Sequence, residues 1–225
     1  MLCVSVGSTW AHEQMLFDAS SPGINDWFGR NVAISGDTIA VGEMKDDTSL
    51  GVDTGSVRVF RRSGTTWTEE AMLAPPSVAG AFFGCGVDID GDRIVTGFYG
   101  GPDRGGPGLV HVFTRTGTVW SLETTLSVSD GSFGRAVSVS GGRIAVGAMM
   151  SGSGRGVVYL YRLATGVWLA DGTVSATDPS TDDWFGYDVS IDGDTLAVVA
   201  GGAWTLTAAH VDRAFFFTRG ATGWS

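Results

Sequence analysis

The sequence predicts an all-β protein, specifically a β-propeller built from four-stranded antiparallel blades. The chain repeats itself four times with a period of about fifty residues, which is the length of one such blade. Within each repeat, apolar residues alternate with small or polar ones, as in strands and not as in helices. The 225 residues include 35 glycines, which suits many short strands joined by tight turns.

The first two strands of each repeat follow a Phe-Gly pair. The four copies are "FGRNVAISGDTIAVG", "FGCGVDIDGDRIVTG", "FGRAVSVSGGRIAVG" and "FGYDVSIDGDTLAVV", and they start at Phe28, Phe83, Phe133 and Phe185. In the first copy Val32 and Ile34 alternate with Ala33, and a two-residue Gly-Asp turn leads into the second strand. Glycine at the first central position, Gly36, predicts a type II′ hairpin turn.

The third and fourth strands come from a second repeated segment. It reads "GSVRVFRRSGTTW" in the first repeat, and its tryptophan opens the fourth strand. The corresponding tryptophans are Trp10, Trp67, Trp120, Trp168 and Trp224. We interpret the phenylalanines and these tryptophans as packing residues between neighbouring blades, because a binding site rarely needs four identical copies.

One domain, residues 1–225, is predicted, with repeats at about 18–73, 74–126, 127–174 and 175–225. Residues 1–17 read as a spare fourth strand that would complete the last blade and remove exposed sheet edges. Closure would give either a four-bladed monomer or a homodimer that completes an eight-bladed ring. A third alternative is that the chain is part of a larger, seven-bladed propeller.

Together, the Phe-Gly pair, the hairpin, the Gly-Ser-Val strand and the tryptophan resemble the FG-GAP repeat. This repeat forms the blades of the integrin α-subunit head and of many bacterial secreted or surface proteins. Here "VGEM" (41–44) and "VGAM" (146–149) occupy the position of the family's Gly-Ala-Pro, without the proline. The resemblance implies an extracellular or cell-surface, non-catalytic scaffold for binding or adhesion, which recognises a protein or a carbohydrate through blade loops.

The resemblance raises the question of whether the chain binds calcium. Integrin-type blades often hold it in an aspartate-rich loop between the first two strands, but only two residues lie there in this chain. Calcium prefers about 6–8 oxygen ligands, so we expect no cofactor at that place. A second possible calcium set is Asp46, Asp47 and Asp53 in the loop 45–55, and the other interpretation of that loop is a solvated turn.

Two pairs of residues are candidates for ligand contact. Asp26 and Trp27 precede the first Phe-Gly pair in "NDWFG", and Asp183 and Trp184 precede the fourth in "DDWFG". The other two repeats lack them, so they are less easily explained by blade construction, although packing is the alternative. Further candidates are the variable loops, where recognition residues concentrate: 44–54, 98–107, 148–155, 200–211, 18–26, 74–81, 127–132 and 171–183.

Several function classes are disfavoured. A net charge of −10 with a single lysine, Lys45, argues against nucleic acid and anionic membranes as partners. No apolar run approaches the ~18 residues of a membrane helix, and "MLCVSVGSTW" does not read as a signal peptide. Two distant cysteines, Cys3 and Cys85, make no disulfide framework.

Catalytic residues are not predicted. The chain has no phosphate loop and no Gly-x-Ser-x-Gly sequence. The alternative function is a hydrolase with its active site at the mouth of the propeller channel, which would require carboxylates with raised pKa values at that mouth.

Overall fold

Four antiparallel sheets, each made of four consecutive strands, account for most of the described chain. The structure is a computed structural model that describes residues 14, 16, 26–75, 82–98, 107–179, 183–201 and 212–225. Sheet 1 contains β1 (Phe28–Ser35), β2 (Thr38–Glu43), β3 (Ser56–Ser63) and β4 (Thr66–Leu73). Sheet 2 contains β5 (Gly86–Asp90), β6 (Arg93–Phe98), β7 (Pro107–Thr116) and β8 (Val119–Gly131).

Sheets 3 and 4 repeat this order. Sheet 3 contains β9 (Phe133–Ser140), β10 (Arg143–Ala148), β11 (Val157–Ala164) and β12 (Val167–Val174), with a short turn at Ser151–Gly154 before β11. Sheet 4 contains β13 (Phe185–Asp192), β14 (Thr195–Ala200), β15 (Arg213–Gly220) and β16 (Gly223–Trp224). The predicted all-β architecture of four-stranded antiparallel blades is confirmed. The predicted loop 127–132 is wrong, because β8 continues as strand through Gly131.

The sheets stack face to face in chain order, since β1 contacts β5, β5 contacts β9, and β9 contacts β13. We call the side of a sheet that faces the preceding sheet its leading face, and the other side its trailing face. Between sheets 1 and 2, for example, Val57 and Val59 of the trailing face pack against Phe83, Ile89 and Ile94 of the next leading face. Equivalent residues form the cores between the other neighbouring sheets.

The Phe-Gly pair is the centre of a tight turn that opens each sheet. In sheet 1 the N–H of Arg30 donates to the carbonyl oxygen of Trp27 at 3.3 Å, and Gly29 has a φ of 83°. A bond between residues i and i+3 with φ near +80° at the third residue is a type II turn, which favours glycine there. The other three turns have φ values of 86°, 93° and 85° at Gly84, Gly134 and Gly186.

The phenylalanine of each turn anchors a sheet to the one before it. Phe83, Phe133 and Phe185 are fully buried in the three cores. The packing role predicted for them is therefore what the structure shows. Phe28, whose sheet has no preceding described sheet, is only partly buried and packs edge-on against Phe60 at 6.3 Å.

Two glycines on each of the first three trailing faces make room for the next Phe-Gly turn. A Cβ atom at Gly97 would lie 1.9 Å from the carbonyl oxygen of Gly134, and one at Gly108 would lie 1.6 Å from that of Phe133. We call these positions the approach glycines. In sheets 1 and 3 the corresponding distances are between 2.0 and 2.2 Å, at Gly42, Gly55, Gly147 and Gly156. No side chain fits at these six positions without a backbone shift.

Each of the first three sheets also holds the tryptophan of the next sheet through a carboxylate on its outer strand. The bonds join Trp120 to Glu70, Trp168 to Glu123 and Trp224 to Asp171, at 2.8, 3.1 and 3.3 Å. Burial acts to raise the pKa of Asp171, but hydrogen bonds from Arg219 and Trp224 and the charges of Arg219 and Arg143 outweigh it and lower that pKa. These carboxylates explain why the tryptophans recur at the repeat period.

The two ends of the stack differ from its middle. On the leading face of sheet 1, Val32 and Ile34 are 65% and 64% exposed, and on the trailing face of sheet 4, Phe216 is 74% exposed. Of the predicted closing strand 1–17, only Gln14 and Leu16 lie within the described residues, and both contact sheet 1. No helix in the described part of the chain is long and apolar enough to cross a bilayer.

A buried histidine in sheet 2 leads to a prediction about pH. Burial lowers the pKa of His111 from 6.5 to about 4. The stability that its neutral form contributes is therefore complete above pH 6.5 and is lost as the pH falls from 6.5 to about 4, up to about 3 kcal/mol. We expect His111→Tyr, which places there the residue that sheet 3 has at Tyr159, to remove this part of the pH dependence.

Urea denaturation of both proteins between pH 4 and 7 measures the effect. His111 Nδ1 bonds to Thr125 Oγ1 at 2.9 Å, and Nε2 has no hydrogen-bond partner in the described part of the chain. In the described part of the chain the ring therefore has no carboxylate partner that would stabilise its protonated form. An identical slope of unfolding free energy against pH in the two proteins would contradict the assignment.

Candidate functional site

The inner strands of all four sheets line one central pocket of about 510 Å³. In each sheet the first lining residue directly follows the Phe-Gly pair, and these residues are Arg30, Cys85, Arg135 and Tyr187. Two guanidinium groups thus lie at the end of the pocket nearest the Phe-Gly turns. These two cations belong to a chain that carries a net charge of −10.

Aromatic residues stand directly before the Phe-Gly pair in three of the four sheets. The residue before each Phe-Gly pair adopts a left-handed conformation, with φ between 52° and 81° at Trp27, Phe82, Ser132 and Trp184. Such a φ is strained for a residue other than glycine, and strained backbone clusters at functional sites. Three of these four residues are aromatic. We use the name aromatic rim for Trp27, Phe82, Trp184 and Tyr187 with the cations Arg30, Lys45 and Arg135.

Trp27 is the exposed aromatic member of the rim. Its side chain is 43% exposed. The guanidinium of Arg30 lies 4.9 Å from the centre of its ring, and Lys45 Nζ lies 4.7 Å from it. Lys45 also lies 5.9 Å from the ring of Phe82. Cations at this distance are attracted to an aromatic face, so an exposed indole is held between two positive charges at the junction of sheets 1 and 2.

Trp184 has a different environment, although its sequence context is nearly the same. Its ring stacks on Tyr187 with a centroid distance of 6.4 Å and an angle of 7°. The guanidinium of Arg135 lies 3.9 Å from the Tyr187 ring, and its Nη1 donates to the Tyr187 carbonyl oxygen at 2.7 Å. Trp184 Nε1 is buried and has no hydrogen-bond partner among the residues that the structure describes.

The two aspartates beside these tryptophans also differ. Asp183 forms an ion pair with Arg213 at 2.7 Å. Asp26 instead lies with Glu43 and Asp46, so that one carboxylate oxygen from each falls within 4.8 Å of the others. Arg58 lies against this group, 3.2 Å from Glu43 and 3.4 Å from Asp46. Arg58 offsets part of the negative charge of the group and forms ion pairs with two of its three carboxylates, so we explain the group as an ion-pair network.

The three residues of the possible calcium set do not share one ligand arrangement in the described chain. Asp46 belongs to the ion-pair network with Arg58. Asp47 Oδ1 accepts a hydrogen bond from the N–H of Asp53 at 2.9 Å, which closes the loop between them. Calcium binding by this set stays a prediction.

Asp88 lines the pocket but is used within the fold. Its Oδ2 accepts hydrogen bonds from Ser138 Oγ at 2.8 Å and from the N–H of Val139 at 2.7 Å. It therefore joins the inner strands of sheets 2 and 3. Asp88 interrupts the alternation of apolar and small residues in β5, and this contact across two sheets accounts for it.

The sequence reasoning missed Arg30, Arg135 and Tyr187. Each was one polar or aromatic residue inside a predicted strand. The signal that would have found them is the shared position directly after a Phe-Gly pair, because residues at one position of a propeller repeat meet around the axis. Cys85 occupies the fourth such position and is buried, with Sγ 3.2 Å from the carbonyl oxygen of Gly97. Cys3 lies outside the described residues.

Comparison with known families matches the chain to the FG-GAP repeat at three places, residues 10–60, 67–113 and 168–209. Together these cover more than half of the chain. Each match begins at a tryptophan, and the second and third begin in the outer strands β4 and β12, so that these two run from the outer strand of one sheet into the next sheet. A search of curated proteins finds no match.

Proposed function

Because the chain belongs to the FG-GAP repeat family, we propose that it is a non-catalytic, integrin-like scaffold for binding or adhesion, outside the cell or on its surface. Its ligand is a protein or a carbohydrate that carries an acidic group and binds at the aromatic rim. The observation that carries this proposal is Trp27, which is exposed between Arg30 and Lys45.

The chemistry of the rim supports a ligand of this kind. An exposed indole offers a flat surface for a sugar ring or an apolar side chain. The guanidinium groups of Arg30 and Arg135 are suited to hydrogen bonding with a carboxylate. Cations near the pocket mouth attract an acidic ligand only over a short range, because the chain as a whole is acidic. Binding is therefore expected to weaken as salt is added.

The pocket carboxylates give little support to the alternative, a hydrolase. Such an enzyme needs a carboxyl group that is available to the substrate as an acid or a base. Asp88 Oδ2 accepts two hydrogen bonds from sheet 3, and Asp188 Oδ1 accepts one from the N–H of Val189. Both carboxylates are therefore already engaged in hydrogen bonds within the fold.

A glycan array and a pull-down with biotinylated protein identify the ligand and separate the two ligand classes. With a ligand in hand, we expect Trp27→Ala to weaken binding at least tenfold, which corresponds to about 1.4 kcal/mol. The matched control is Phe216→Ala, which removes a more exposed aromatic ring far from the rim in sequence and on the outer end of the stack. Equal binding by Trp27→Ala and the wild type would contradict a site at the rim.

A further inference from the structure

A second pocket, of about 540 Å³, lies where the hairpin turn and outer strands of sheet 3 meet sheet 4. Its lining includes three arginines, Arg143, Arg162 and Arg219, and one carboxylate, that of Asp171. We call it the arginine pocket, and we propose that it binds the phosphate or sulfate ester group of a sugar-sized ligand. The arginine pocket shares no residue with the aromatic rim, and its ligand does not depend on the function proposed for the rim.

The carboxylate of Asp171 is the point at which the three guanidinium groups meet. Arg219 donates twice, from Nε to Asp171 Oδ2 at 2.9 Å and from Nη2 to Oδ1 at 3.2 Å. Arg143 Nη1 donates to Oδ2 at 3.3 Å, and Arg162 Nε lies 3.2 Å from Oδ1. One negative charge thus faces three positive charges that repel one another. A second anion in the pocket would relieve this repulsion.

The rest of the described chain offsets this positive charge only in part. Asp194 Oδ1 lies 2.7 Å from Arg143 Nη2, but the Asp194 side chain is 64% exposed, so water and salt screen its charge. The side chain of Arg162 is 42% exposed. Among the described residues its Nη1 and Nη2 atoms have no ion-pair partner. Arg162 therefore has hydrogen-bond donors that are available to a ligand.

The corresponding carboxylates of the other two interfaces have a single arginine each in the described chain. Glu70 pairs with Arg115 at 3.2 Å, and Glu123 pairs with Arg93 at 2.8 Å. Both carboxylates also hold the tryptophan of the next sheet, as Asp171 does. Holding that tryptophan therefore requires one carboxylate and one arginine. Two of the three arginines at Asp171 are not explained by the construction of the interface.

The hairpin turn of sheet 3 differs from the other three turns in a way that leaves the pocket open. Its second residue is Gly142, whereas the residues at this position in the other sheets are aspartates, namely Asp37, Asp92 and Asp194. In sheets 1 and 2 the aspartate pairs with an arginine of the third strand, Arg62 or Arg115. Sheet 3 has Leu163 in place of that arginine. The ion pair that lies beside the turn in sheets 1 and 2 is therefore absent, and a Cβ atom at Gly142 would have only Leu163 Cβ within 4 Å, at 3.5 Å.

The arrangement of donors and the size of the pocket indicate the class of ligand. Guanidinium groups form paired, charge-assisted hydrogen bonds with oxyanions. A phosphate or sulfate ester offers three terminal oxygens to three guanidinium groups, whereas a carboxylate offers two. The pocket volume of about 540 Å³ is in the range of small-molecule sites and exceeds that of the ester group alone. The remaining space suits a sugar, whose hydroxyl groups hydrogen-bond to a polar lining.

Isothermal titration calorimetry at low ionic strength tests the proposal. The probes are glucose 6-phosphate and glucose 6-sulfate, and glucose is the uncharged control. We expect the wild type to bind at least one of the two esters and not glucose, and the two titrations show which ester the pocket prefers. Arg162→Gln is expected to weaken this binding at least tenfold. The matched control is Arg155→Gln, which removes the same charge from an exposed arginine outside the pocket lining and is expected to bind as the wild type does.

The turn of sheet 3 provides a second comparison. Gly142→Asp introduces the acidic residue of the other turns, and Gly142→Asn introduces a side chain of the same shape without the charge. We expect the aspartate variant to bind the ester at least ten times more weakly than the asparagine variant. Circular dichroism and thermal unfolding establish that all variants are folded. The proposal is overturned if the wild type binds neither ester, if it binds glucose as tightly, if folded Arg162→Gln binds as the wild type does, or if the two Gly142 variants have equal affinities.

Discussion

Replacing Gly147 with valine is expected to destabilise the protein by about 3 kcal/mol or more, at the upper end for overpacking. A Cβ atom at this position would lie 2.1 Å from the carbonyl oxygen of Gly186 and 3.1 Å from its carbonyl carbon. Both atoms belong to the backbone, so no change of rotamer relieves the clash. Gly147 does not have a positive φ, and the effect therefore comes from the lost space and not from backbone strain.

The matched control is the opposite change at the equivalent position of sheet 4. Val199→Gly removes a side chain that faces no following sheet in the described part of the chain, and we expect a loss of only about 0.5–1 kcal/mol from backbone entropy. Urea denaturation of the three proteins gives both free energies. Similar effects of the two substitutions would contradict the view that glycine is required only where the next Phe-Gly turn approaches.

Replacing Phe133 with alanine is expected to cost about 3–5 kcal/mol, the range for truncating a fully buried phenylalanine. The ring is fully buried between sheets 2 and 3, and it packs edge-on against Tyr159 at 5.6 Å. Its removal leaves a cavity in that core, which surrounding strands held by hydrogen bonds fill poorly. Urea denaturation measures the loss, and near-ultraviolet circular dichroism reports the change around Tyr159.

Phe28→Ala tests whether the effect depends on a neighbouring sheet. Phe28 has the same position in its repeat but is only partly buried, so we expect less than half the loss caused by Phe133→Ala. Equal losses would mean that the phenylalanine stabilises its own sheet and not the contact between sheets.

Most of the fold could be predicted from the sequence, because the repeated pattern identifies the strands and the turns between them. The alternation around Val32 and Ile34 and the two-residue turn at Gly36 and Asp37 specify strands and a hairpin by local rules alone. The observed register pairs Ser35 with Thr38 across that turn. Phe133 could be assigned to packing since an identical residue recurs at each repeat.

The candidate site could be predicted only in part, since it depends on contacts between repeats. Trp27 and Trp184 precede the same Phe-Gly pair, yet one is exposed between cations and the other stacks on Tyr187. Part of the difference is local, because the residue three positions after the tryptophan is Arg30 in one repeat and Tyr187 in the other. The rest arises from residues that the fold brings near, such as Lys45 for Trp27.

The open ends of the stack also lay beyond sequence reasoning. Val199 looks like one more apolar residue of an alternating strand. Its difference from the other repeats is clear only from the structure. At the equivalent positions Gly42, Gly97 and Gly147, the carbonyl oxygen of the following turn fills the space that a Cβ atom would need. Counting repeats predicts a ring, whereas the shape of each face decides which sheets stack.

Hydroxyl-radical footprinting of the wild-type protein, read by mass spectrometry, tests most directly the claim that three repeated interfaces join the four sheets and that no described residue covers Ile34 or Phe216 at the two ends of the stack. The account predicts rapid oxidation of Ile34 and Phe216, and protection of Ile89, Val139 and Ile191, which have the position of Ile34 in the other sheets and are each 5% exposed. Protection of Ile34 and Phe216 equal to that of these three residues would show that the two end faces are covered, and would contradict the account.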